Sequence, residues 1–375
     1  MSLEVIHRDS VTHRVRLLIN NEEVSGLTIR DLKMRIGTSS ILIGGIAGVY
    51  TRREYRMKGF SKKVINYAIN WMHENNYPLS ALFGIPNFYH KFGYVVFMGE
   101  HTLTILIRNA EEAEKRFKVE LVEEFDKEVL KAIATIYNEN NEERTGTIVR
   151  DPEEWRGFSK GVGWEHKPIV HVVKNERGNI VGYLAYDPWQ YGDTLNIAEI
   201  GSKNNDYKVF ETIISFLVEK GIRGRYAYLT FYLPLDHPFT KFAIRYGYTM
   251  KSYYPKRAHG MARIICLKEL FDKIKPELER RLIESKNKHK ASVLIDTDIG
   301  SITLKIDESV LEVSEEPKAN YRIKLSQSSL TQLVLGYRDI RDLAYKEAKV
   351  DSEVLPLLNI LFPRSAPYVW PADRW

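Results

Sequence analysis

A short basic loop lies where an apolar run meets an amphipathic helix pattern, and its residue types suit the binding of a diphosphate. The loop is Arg56-Met-Lys-Gly-Phe-Ser61. The first N–H groups of a helix have no partner within the helix, and the helix dipole places partial positive charge at the same end. Gly59 lets the backbone approach an anion closely, and Arg56 and Lys58 add positive charge. Taken alone, such a pattern is more often a solvated turn than a binding site.

The elements around the loop indicate a strand, the loop, a helix and a second strand. Residues 40–50 form an apolar, glycine-containing run that predicts a buried strand. After the loop, apolar residues recur at helical spacing. These residues are Val64, Ile65, Ala68, Ile69 and Met72. Residues 78–83 predict a short buried strand, and the heptad Phe88-Tyr-His-Lys-Phe-Gly-Tyr94 predicts a helical turn that Gly93 closes.

The strand, the Arg-x-x-Gly-x-Ser loop, the helix, the second strand and the Phe-Tyr-x-Lys-Phe-Gly-Tyr heptad stand in this order over residues 40–94. This order resembles the acetyl-CoA-binding half of the GNAT superfamily of N-acetyltransferases. The resemblance implies acetyl-CoA as the cofactor, with the backbone at the end of the first strand beside its pantetheine arm and the loop holding its pyrophosphate. The cofactor residues are then Val49, Tyr50, Thr51, Arg56, Lys58, Gly59, Phe60 and Ser61.

Tyr89, the second residue of the heptad, is the candidate general acid. A phenol has an unperturbed pKa of about 10, so it is protonated at neutral pH and can donate a proton to a departing thiolate. The alternative is a packed aromatic residue whose hydroxyl is satisfied by a hydrogen bond. We favour the catalytic role because a second copy of the motif lacks this tyrosine.

The second copy lies between residues 197 and 248. Ile197-Ala-Glu-Ile-Gly-Ser202, a helix pattern, a strand pattern and the heptad Phe242-Ala-Ile-Arg-Tyr-Gly-Tyr248 repeat the order of the first copy. Lys203-Asn-Asn-Asp206 replaces the basic glycine loop, and Ala243 stands where Tyr89 stands in the first copy. The second copy is therefore predicted to be non-catalytic.

A third region follows, in which a charged helix over residues 272–288 precedes antiparallel strands and two short helices. The chain ends in a segment rich in proline and aromatic residues, which needs a packing surface. Two GNAT-like units, a sterol-carrier-like domain and this tail resemble the enhanced-intracellular-survival family of acetyltransferases. That resemblance implies a homo-hexamer and a general base formed by the C-terminal carboxylate, here that of Trp375. Arg374 beside it would oppose a polycationic acceptor such as an aminoglycoside.

The predicted fold class is a mixed α+β and α/β architecture. Two tandem GNAT-like mixed-sheet units, residues 1–108 and 109–270, precede a sterol-carrier-like α+β domain over residues 271–375. A length of 375 residues favours several domains, because single cores rarely exceed about 250 to 300 residues. The first predicted strand is His13–Ile19, so the first strand and the two helices that normally open a GNAT domain are expected to be absent. In GNAT domains those helices usually form one side of the acceptor site.

Composition excludes several other classes of protein. The net charge of +6 comes from lysines and arginines interspersed with acids, which is typical of a mixed surface rather than a nucleic-acid site. No apolar run reaches the roughly 18 residues needed to span a bilayer, and the ten histidines show no metal-ligand spacing. The single cysteine, Cys266, lies in an apolar run and fits a reducing compartment. We therefore expect a cytoplasmic protein without metal, membrane or nucleic-acid partners.

The predicted function is acetyl-CoA-dependent N-acetylation of a primary amine by direct attack in a ternary complex. The acceptor is either a small polyamine-like molecule or a lysine or N-terminal amine of a protein. Two alternatives remain open from the sequence. In the first, the apolar helices of the third region line a tunnel and the protein is a lipid or sterol carrier. In the second, the protein is a non-catalytic scaffold that keeps the cofactor site as a relic.

Overall fold

A computed structural model of the chain describes residues 1–158, 167–188 and 192–375. The strands of these residues form two seven-stranded sheets and one five-stranded sheet, each containing both parallel and antiparallel pairs. Helices pack against all three sheets. This architecture confirms the predicted mixed fold class with two tandem units. None of the helices in the described residues is long and apolar enough to cross a membrane.

The first sheet has the strand order β1-β2-β3-β4-β5-β14-β6. Its strands are β1 (Ser2–Asp9), β2 (Thr12–Ile19), β3 (Glu22–Ile36), β4 (Ser39–Thr51), β5 (Leu79–Gly84), β6 (Val95–Val96) and β14 (His259–Ile264). Helix α1 (Phe60–Glu74) connects β4 to β5, which therefore run parallel. The predicted apolar stripe of α1 is buried against this sheet, because residues three and four apart share one helix face.

The prediction that no strand precedes His13 is wrong. Strand β1 pairs antiparallel with β2 after a turn at residues 10–11, and no helix lies between the two strands. Leu3 and Val5 pack against the core while most of β1 remains exposed or half-buried, as is common for an edge strand. This weak alternation is why the sequence pattern did not indicate a strand. Asn20 and Asn21 form the turn between β2 and β3, and both residues have a positive φ.

The second sheet has the strand order β13-β7-β12-β11-β10-β9-β8. Its strands are β7 (Glu100–Leu106), β8 (Lys118–Leu121), β9 (Ile169–Lys174), β10 (Ile180–Tyr186), β11 (Thr194–Ser202), β12 (Tyr228–Tyr232) and β13 (Thr249–Tyr253). Its helices are α2 (Lys127–Asn140), α3 (Tyr207–Arg223) and α4 (Pro238–Ala243). Asp126 and Asp206 cap α2 and α3 by accepting backbone N–H groups. Residues 151–155 form a single turn, and residues 159–166 lie outside the described residues.

The two units exchange strands. Strand β7, which lies within the predicted first unit of residues 1–108, pairs with β12 and β13 in the second sheet. Strand β14 returns from the second half of the chain and inserts between β5 and β6 of the first sheet. The predicted boundaries at residues 108 and 270 therefore do not separate two closed sheets. Alternating apolar residues predict a strand but do not specify its partner.

The third region contains a five-stranded sheet with the order β17-β16-β15-β18-β19. Its elements are α5 (Leu267–Ser285), β15 (His289–Thr297), β16 (Gly300–Glu308), β17 (Val310–Ser314), β18 (Tyr321–Lys324), α6 (Gln327–Val334), α7 (Ile340–Lys346), β19 (Lys349–Val350) and α8 (Leu355–Leu361). The sheet was predicted to be antiparallel, but β15 and β18 run parallel.

The C-terminal tail is packed, as its aromatic residues predicted. Tyr368 and Trp370 are almost completely buried, and Trp375 is 9% exposed. The Trp370 indole donates to Asn141 Oδ1 at 2.9 Å, and the Tyr368 N–H donates to the Thr145 carbonyl at 2.9 Å. The tail therefore lies against residues that follow α2 in the second unit.

Glu277 of α5 connects the third region to the turn between β3 and β4. Its carboxylate is fully buried and accepts the N–H and hydroxyl of Thr38, at 3.0 and 2.7 Å, together with the guanidinium groups of Arg280 and Arg281. Burial alone would raise the pKa of Glu277. The hydrogen bonds from Arg280 and Thr38 and the charge of Arg281 outweigh burial and lower this pKa from 4.5 to about 2.

Replacing Glu277 with glutamine should lower the free energy of unfolding by about 3 kcal/mol at pH 7, because each unit of pKa shift corresponds to about 1.4 kcal/mol. A lowered pKa stabilises the fold above pH 4.5, and this stabilisation is lost as the pH falls towards 2. The difference between wild type and variant in urea unfolding should therefore shrink between pH 4.5 and pH 2. Glu279→Gln is the control, because a glutamine oxygen can still accept the Leu311 N–H that Glu279 accepts at 2.9 Å. An equal loss of stability in both variants would contradict this account.

Candidate functional site

The first sheet opens where β4 and β5 separate. Their parallel ladder ends at the pair Ile46 and Leu82, whereas β4 continues to Thr51 paired with β3. The register between β3 and β4 shifts next to Gly48, which has a φ of +55°. This conformation is accessible to glycine at little cost, and it produces a bulge that turns the end of β4. The backbone of residues 47–51 is therefore presented at an opening in the sheet.

A cavity of about 720 Å³ lies at this opening. The end of β4, the loop before α1, the first turn of α1 and the segment after β5 surround it. Its lining residues are Val49, Tyr50, Thr51, Tyr55, Arg56, Met57, Gly59, Phe60, Ser61, Lys62, Ile85, Phe88, Tyr89, Lys91 and Phe92. The loop, the helix start and the heptad, which are separate in the sequence, thus meet around one cavity.

The start of α1 has the features of an anion site. Gly59 precedes the first turn with a φ of +74°, and no side chain caps the helix there. The first turn carries no acidic residue, and nothing lies within 4 Å of the position that a Cβ of Gly59 would occupy. The free N–H groups, the helix dipole and the nearby Arg56 and Lys62 therefore all favour a negative group.

Seven of the eight predicted cofactor residues line the cavity, and Lys58 does not. The Lys58 ammonium group lies 5.0 Å from the centre of the Tyr55 ring, in a cation–π contact. Tyr50 lines the cavity, but its hydroxyl donates to Glu23 Oε1 at 2.8 Å, so that side chain is already engaged. Arg56 donates to the Thr51 carbonyl at 3.3 Å, which ties the loop to the end of β4.

Seven lining residues were not predicted from the sequence. They are Tyr55, Met57, Lys62, Ile85, Phe88, Lys91 and Phe92. Phe88, Lys91 and Phe92 belong to the heptad that defined the motif, so their repeat spacing was a usable signal. Ile85 is 64% exposed and Met57 is fully exposed, and such large apolar side chains at a cavity rim suit the apolar part of a ligand.

Tyr89 is a buried residue of the cavity lining. It begins a 3-10 turn, Tyr89–Phe92, which ends at Gly93 with a φ of +76°. Its ring packs so closely on Gly84 that a Cβ there would lie 2.5 Å from Tyr89 Cδ2. Burial raises the pKa of Tyr89, and its hydroxyl makes no hydrogen bond to any described residue. The phenol is therefore a protonated donor that the protein leaves unpaired.

Trp375 does not line this cavity but packs behind the same opening. A Cβ on Gly45 would lie 2.8 Å from Trp375 Cε2, and the Trp375 ring centre lies 5.2 Å from that of Phe83. Gly45 and Phe83 stand on β4 and β5 where the two strands part. The last residue of the chain thus contacts both strands at the opening.

Tyr89 and Trp375 lie on opposite faces of the first sheet. Successive residues of a strand point to opposite faces. On β4, a Cβ on Gly44 would meet Met72 of α1, and one on Gly45 would meet Trp375. The residues of β5 alternate in the same way, because Gly84 contacts Tyr89 and Phe83 contacts Trp375. The opening therefore connects a face that carries the Tyr89 phenol to a face that carries the Trp375 ring.

Arg374 does not present a free charge beside the terminus. Its guanidinium group donates to Glu100 Oε2 at 2.7 Å and lies 5.1 Å from the centre of the Phe83 ring. The side chain of Arg374 is only 9% exposed. The predicted repulsion of a polycationic acceptor by Arg374 is therefore offset by the carboxylate of Glu100.

The corresponding region of the second unit is filled by protein. The Asn140 side chain of α2 accepts the Ser202 N–H at 3.0 Å and donates to the Ser202 carbonyl at 2.8 Å. Ser202 is the last residue of β11. Glu199 of β11 is buried in an ion pair with Arg150. This packing agrees with the prediction that the second copy is non-catalytic. No cluster of side chains suited to a metal ion occurs among residues 1–158, 167–188 and 192–375.

Comparison with known proteins identifies the class to which the first unit belongs. Residues 6–97 match the family model described as acetyltransferase (GNAT) domain. The chain therefore contains a GNAT acetyltransferase domain and is an acyltransferase. No curated protein gave a significant match.

Solved structures resemble the chain over nearly its whole length. A conserved protein from Enterococcus faecalis, described as a probable N-acyltransferase, shares 18% identity at a TM-score of 0.77, with 98% of this chain and 90% of that chain covered. A GCN5-related N-acetyltransferase from Kribbella flavida shares 16% identity at a TM-score of 0.71, with 96% and 87% covered. Eis1 from Mycobacterium abscessus shares 14% identity at a TM-score of 0.63, with 95% and 89% covered. These similarities concern the fold.

Proposed function

We propose that this chain transfers the acetyl group of acetyl-CoA directly to a primary amine in a ternary complex. The observation that carries the proposal is the opening between β4 and β5, with Tyr89 on one face and Trp375 on the other. A donor that enters from the Tyr89 face and an acceptor that enters from the Trp375 face would meet at the opening. Direct transfer needs this arrangement, because both reactants must be held together at one place.

The cavity suits acetyl-CoA in its positive charge and in its apolar rim. The uncapped start of α1, with Arg56 and Lys62, would hold the diphosphate. The apolar rim at Met57 and Ile85 would contact the rest of the molecule. When bound, acetyl-CoA supplies an activated acetyl group on a thiol that leaves readily. We assign to the backbone of residues 49–51 the pairing with its arm and the polarisation of the carbonyl oxygen.

Two residues of the chain would move protons. The Tyr89 hydroxyl is unpaired and stays protonated because burial raises its pKa, so it can donate a proton to the departing sulfur. We assign the acceptance of the amine proton to the C-terminal carboxylate of Trp375. A carboxylate is a weak base in water, but it becomes a stronger base where the protein excludes water. Trp375 as a whole residue is 9% exposed, and its ring packs on Gly45 and Phe83.

We further propose that the whole chain is of the enhanced-intracellular-survival type, with a sterol-carrier-like third region, and that it is a cytoplasmic homo-oligomer, a hexamer by resemblance. The order of the three sheets and the fold similarity to Eis1 support this proposal. Light scattering on the purified protein tests the oligomer, and a monomer at micromolar concentration would exclude it.

Calorimetric titration with acetyl-CoA, followed by a screen of amine acceptors that reads free thiol, tests the function. We expect binding of one acetyl-CoA per chain and thiol release that depends on the acceptor. The screen should include polyamines, aminoglycosides and lysine-containing peptides. Binding without transfer to any amine would favour a relic site. Absence of binding, together with lipid extracted from the purified protein, would favour a carrier.

Variants of Arg56 and Lys58 compare a residue that lines the cavity with a neighbouring residue that does not. Arg56→Ala should weaken acetyl-CoA binding about ten-fold, because a hydrogen bond to a charged group contributes about 1.5 kcal/mol or more. Lys58→Ala should change the dissociation constant by less than about two-fold, because the ammonium group lies over Tyr55 and outside the cavity lining. Titration of both variants at two salt concentrations measures this contrast. Equal losses would mean that the loop binds by its overall charge alone.

A further inference from the structure

We propose that Arg150 is a positioning residue for acetyl transfer, because it clamps the C-terminal tail so that Trp375 stays at the opening between β4 and β5. The inference deepens the proposed function and rests on the role assigned there to the terminal carboxylate. It gives the second unit, in which Asn140 is bonded to the end of β11, a part in the reaction of the first unit.

Arg150 holds the tail two residues before its end. Its Nε donates to Asp373 Oδ1 at 2.9 Å, and its Nη2 donates to Asp373 Oδ2 at 3.0 Å. Two parallel hydrogen bonds fix both the position and the direction of the Asp373 carboxylate. Since Trp375 follows two residues later, the clamp restricts where the end of the chain can lie.

The clamp itself is rigidly built into the second unit. Arg150 also donates to both oxygens of Glu199, at 2.6 and 2.7 Å, and the Tyr183 hydroxyl donates to Glu199 at 2.7 Å. The guanidinium group lies 3.7 Å from the centre of the Tyr137 ring and 4.6 Å from that of Trp155. The guanidinium group of Arg150 thus donates both to Glu199 on strand β11 and to Asp373 in the tail.

Burial of this cluster indicates a role beyond general stability. Arg150 is 2% exposed and Glu199 is 1% exposed, and the side chain of Asp373 is 7% exposed. Burying two carboxylates around one guanidinium group costs desolvation, and apolar residues of similar volume often stabilise a core as well or better. A bidentate ion pair specifies a single geometry, which apolar packing does less strictly.

Trp375 depends on such an anchor because its own side chain has no polar attachment. The indole Nε1 is buried and makes no hydrogen bond to any described residue. Packing on Gly45 and Phe83 holds the ring, while the preceding residues hold the backbone through Asp373 and through the Arg374–Glu100 ion pair. Both anchors attach the end of the tail to the second sheet, because Glu100 begins β7 and Arg150 is held by Glu199 of β11.

Asp373→Asn and Glu277→Gln test the clamp as a matched pair. Each variant removes one buried carboxylate charge that pairs with arginine, but only Asp373→Asn loosens the tail, because Glu277 contacts Thr38 and the arginines of α5. We expect Asp373→Asn to lower kcat at least ten-fold with an unchanged KM for acetyl-CoA, because a small displacement of a reacting group can cost up to about a hundred-fold. Carboxypeptidase should release Trp375 from this variant at least ten-fold faster than from the wild type. Glu277→Gln should keep kcat within about three-fold and the rate of Trp375 release unchanged, although it lowers the free energy of unfolding.

A merely structural role predicts that both variants lose activity in parallel with their thermal stability, and that result would overturn the inference. Unchanged kcat or unchanged Trp375 release in Asp373→Asn would also overturn it. If Asp373→Asn does not fold, Arg150→Lys replaces it, because lysine keeps the charge but lacks the fork. The C-terminal amide discussed below separates the two proposals. If the amide is active, both the proposed base and this inference are wrong. If the amide is inactive but Asp373→Asn is active, only this inference is wrong.

Discussion

Replacing Tyr89 with phenylalanine should lower kcat by about a hundred-fold or more while leaving acetyl-CoA affinity nearly unchanged. A positioned general acid contributes about 10²- to 10⁴-fold to a rate, and the Tyr89 hydroxyl is the proton donor that we assign to the leaving thiolate. The ring would still pack on Gly84, so the cavity should keep its shape. Thiol release under saturating acetyl-CoA measures the rate, and calorimetry measures the affinity.

The pH dependence gives a second expected result for Tyr89. Burial raises its pKa above the ordinary value of 10, so the phenol is protonated, and active as an acid, throughout the neutral and mildly alkaline range. The wild-type rate should therefore not fall between pH 7 and pH 9 through loss of this proton. A decline in kcat that is centred in that range and absent from Tyr89→Phe would contradict the assignment.

Tyr94→Phe is the matched control for Tyr89→Phe. Tyr94 closes the same heptad and is fully buried, and its hydroxyl lies 2.8 Å from the hydroxyl of Ser80. Losing that hydrogen bond should cost stability of about 1 kcal/mol, without a change in the transfer step. If Tyr94→Phe lowers kcat as much as Tyr89→Phe does, the effect belongs to the packing of the heptad and not to an acid.

Converting the C-terminal carboxylate of Trp375 to an amide should also lower kcat about a hundred-fold. The change removes the group that we assign as the base and leaves every side chain in place. An amine then reaches the opening as an ammonium ion with no acceptor for its proton. Raising the pH should partly restore the rate, because more of the amine is already neutral. Semisynthesis supplies the amide, and thiol release at several pH values measures the effect.

Trp375→Phe tests whether the carboxylate or the indole matters. This variant keeps the terminal carboxylate, and no hydrogen bond is lost because the indole Nε1 has no partner among the described residues. We expect kcat to stay within about five-fold of the wild type, with some loss of stability from the smaller ring on Gly45. A large loss in Trp375→Phe together with an active amide would mean that the tail contributes only packing.

The sequence by itself determined the features that depend on neighbouring residues. The loop from Arg56 to Ser61, the apolar face of α1 and the turn closed by Gly93 were all predicted from local spacing. The burial of the aromatic tail followed from composition in the same way, because large rings need a packing surface. Local patterns also identified seven of the eight predicted cofactor residues as neighbours of one cavity.

Only the tertiary structure decided which distant segments meet. Strands β7 and β14 each pair in the sheet of the other predicted unit. A strand pattern in the sequence does not specify the pairing partner, which depends on the hydrogen bonds of the whole sheet. The ammonium group of Lys58 lies over the Tyr55 ring and does not line the cavity. The composition of the loop does not predict this contact. The clamp of Arg150 on Asp373 joins residues far apart in the chain, and a lone arginine at position 150 has no pattern that predicts it. Local propensity follows from short-range geometry, whereas these contacts depend on how the complete chain packs.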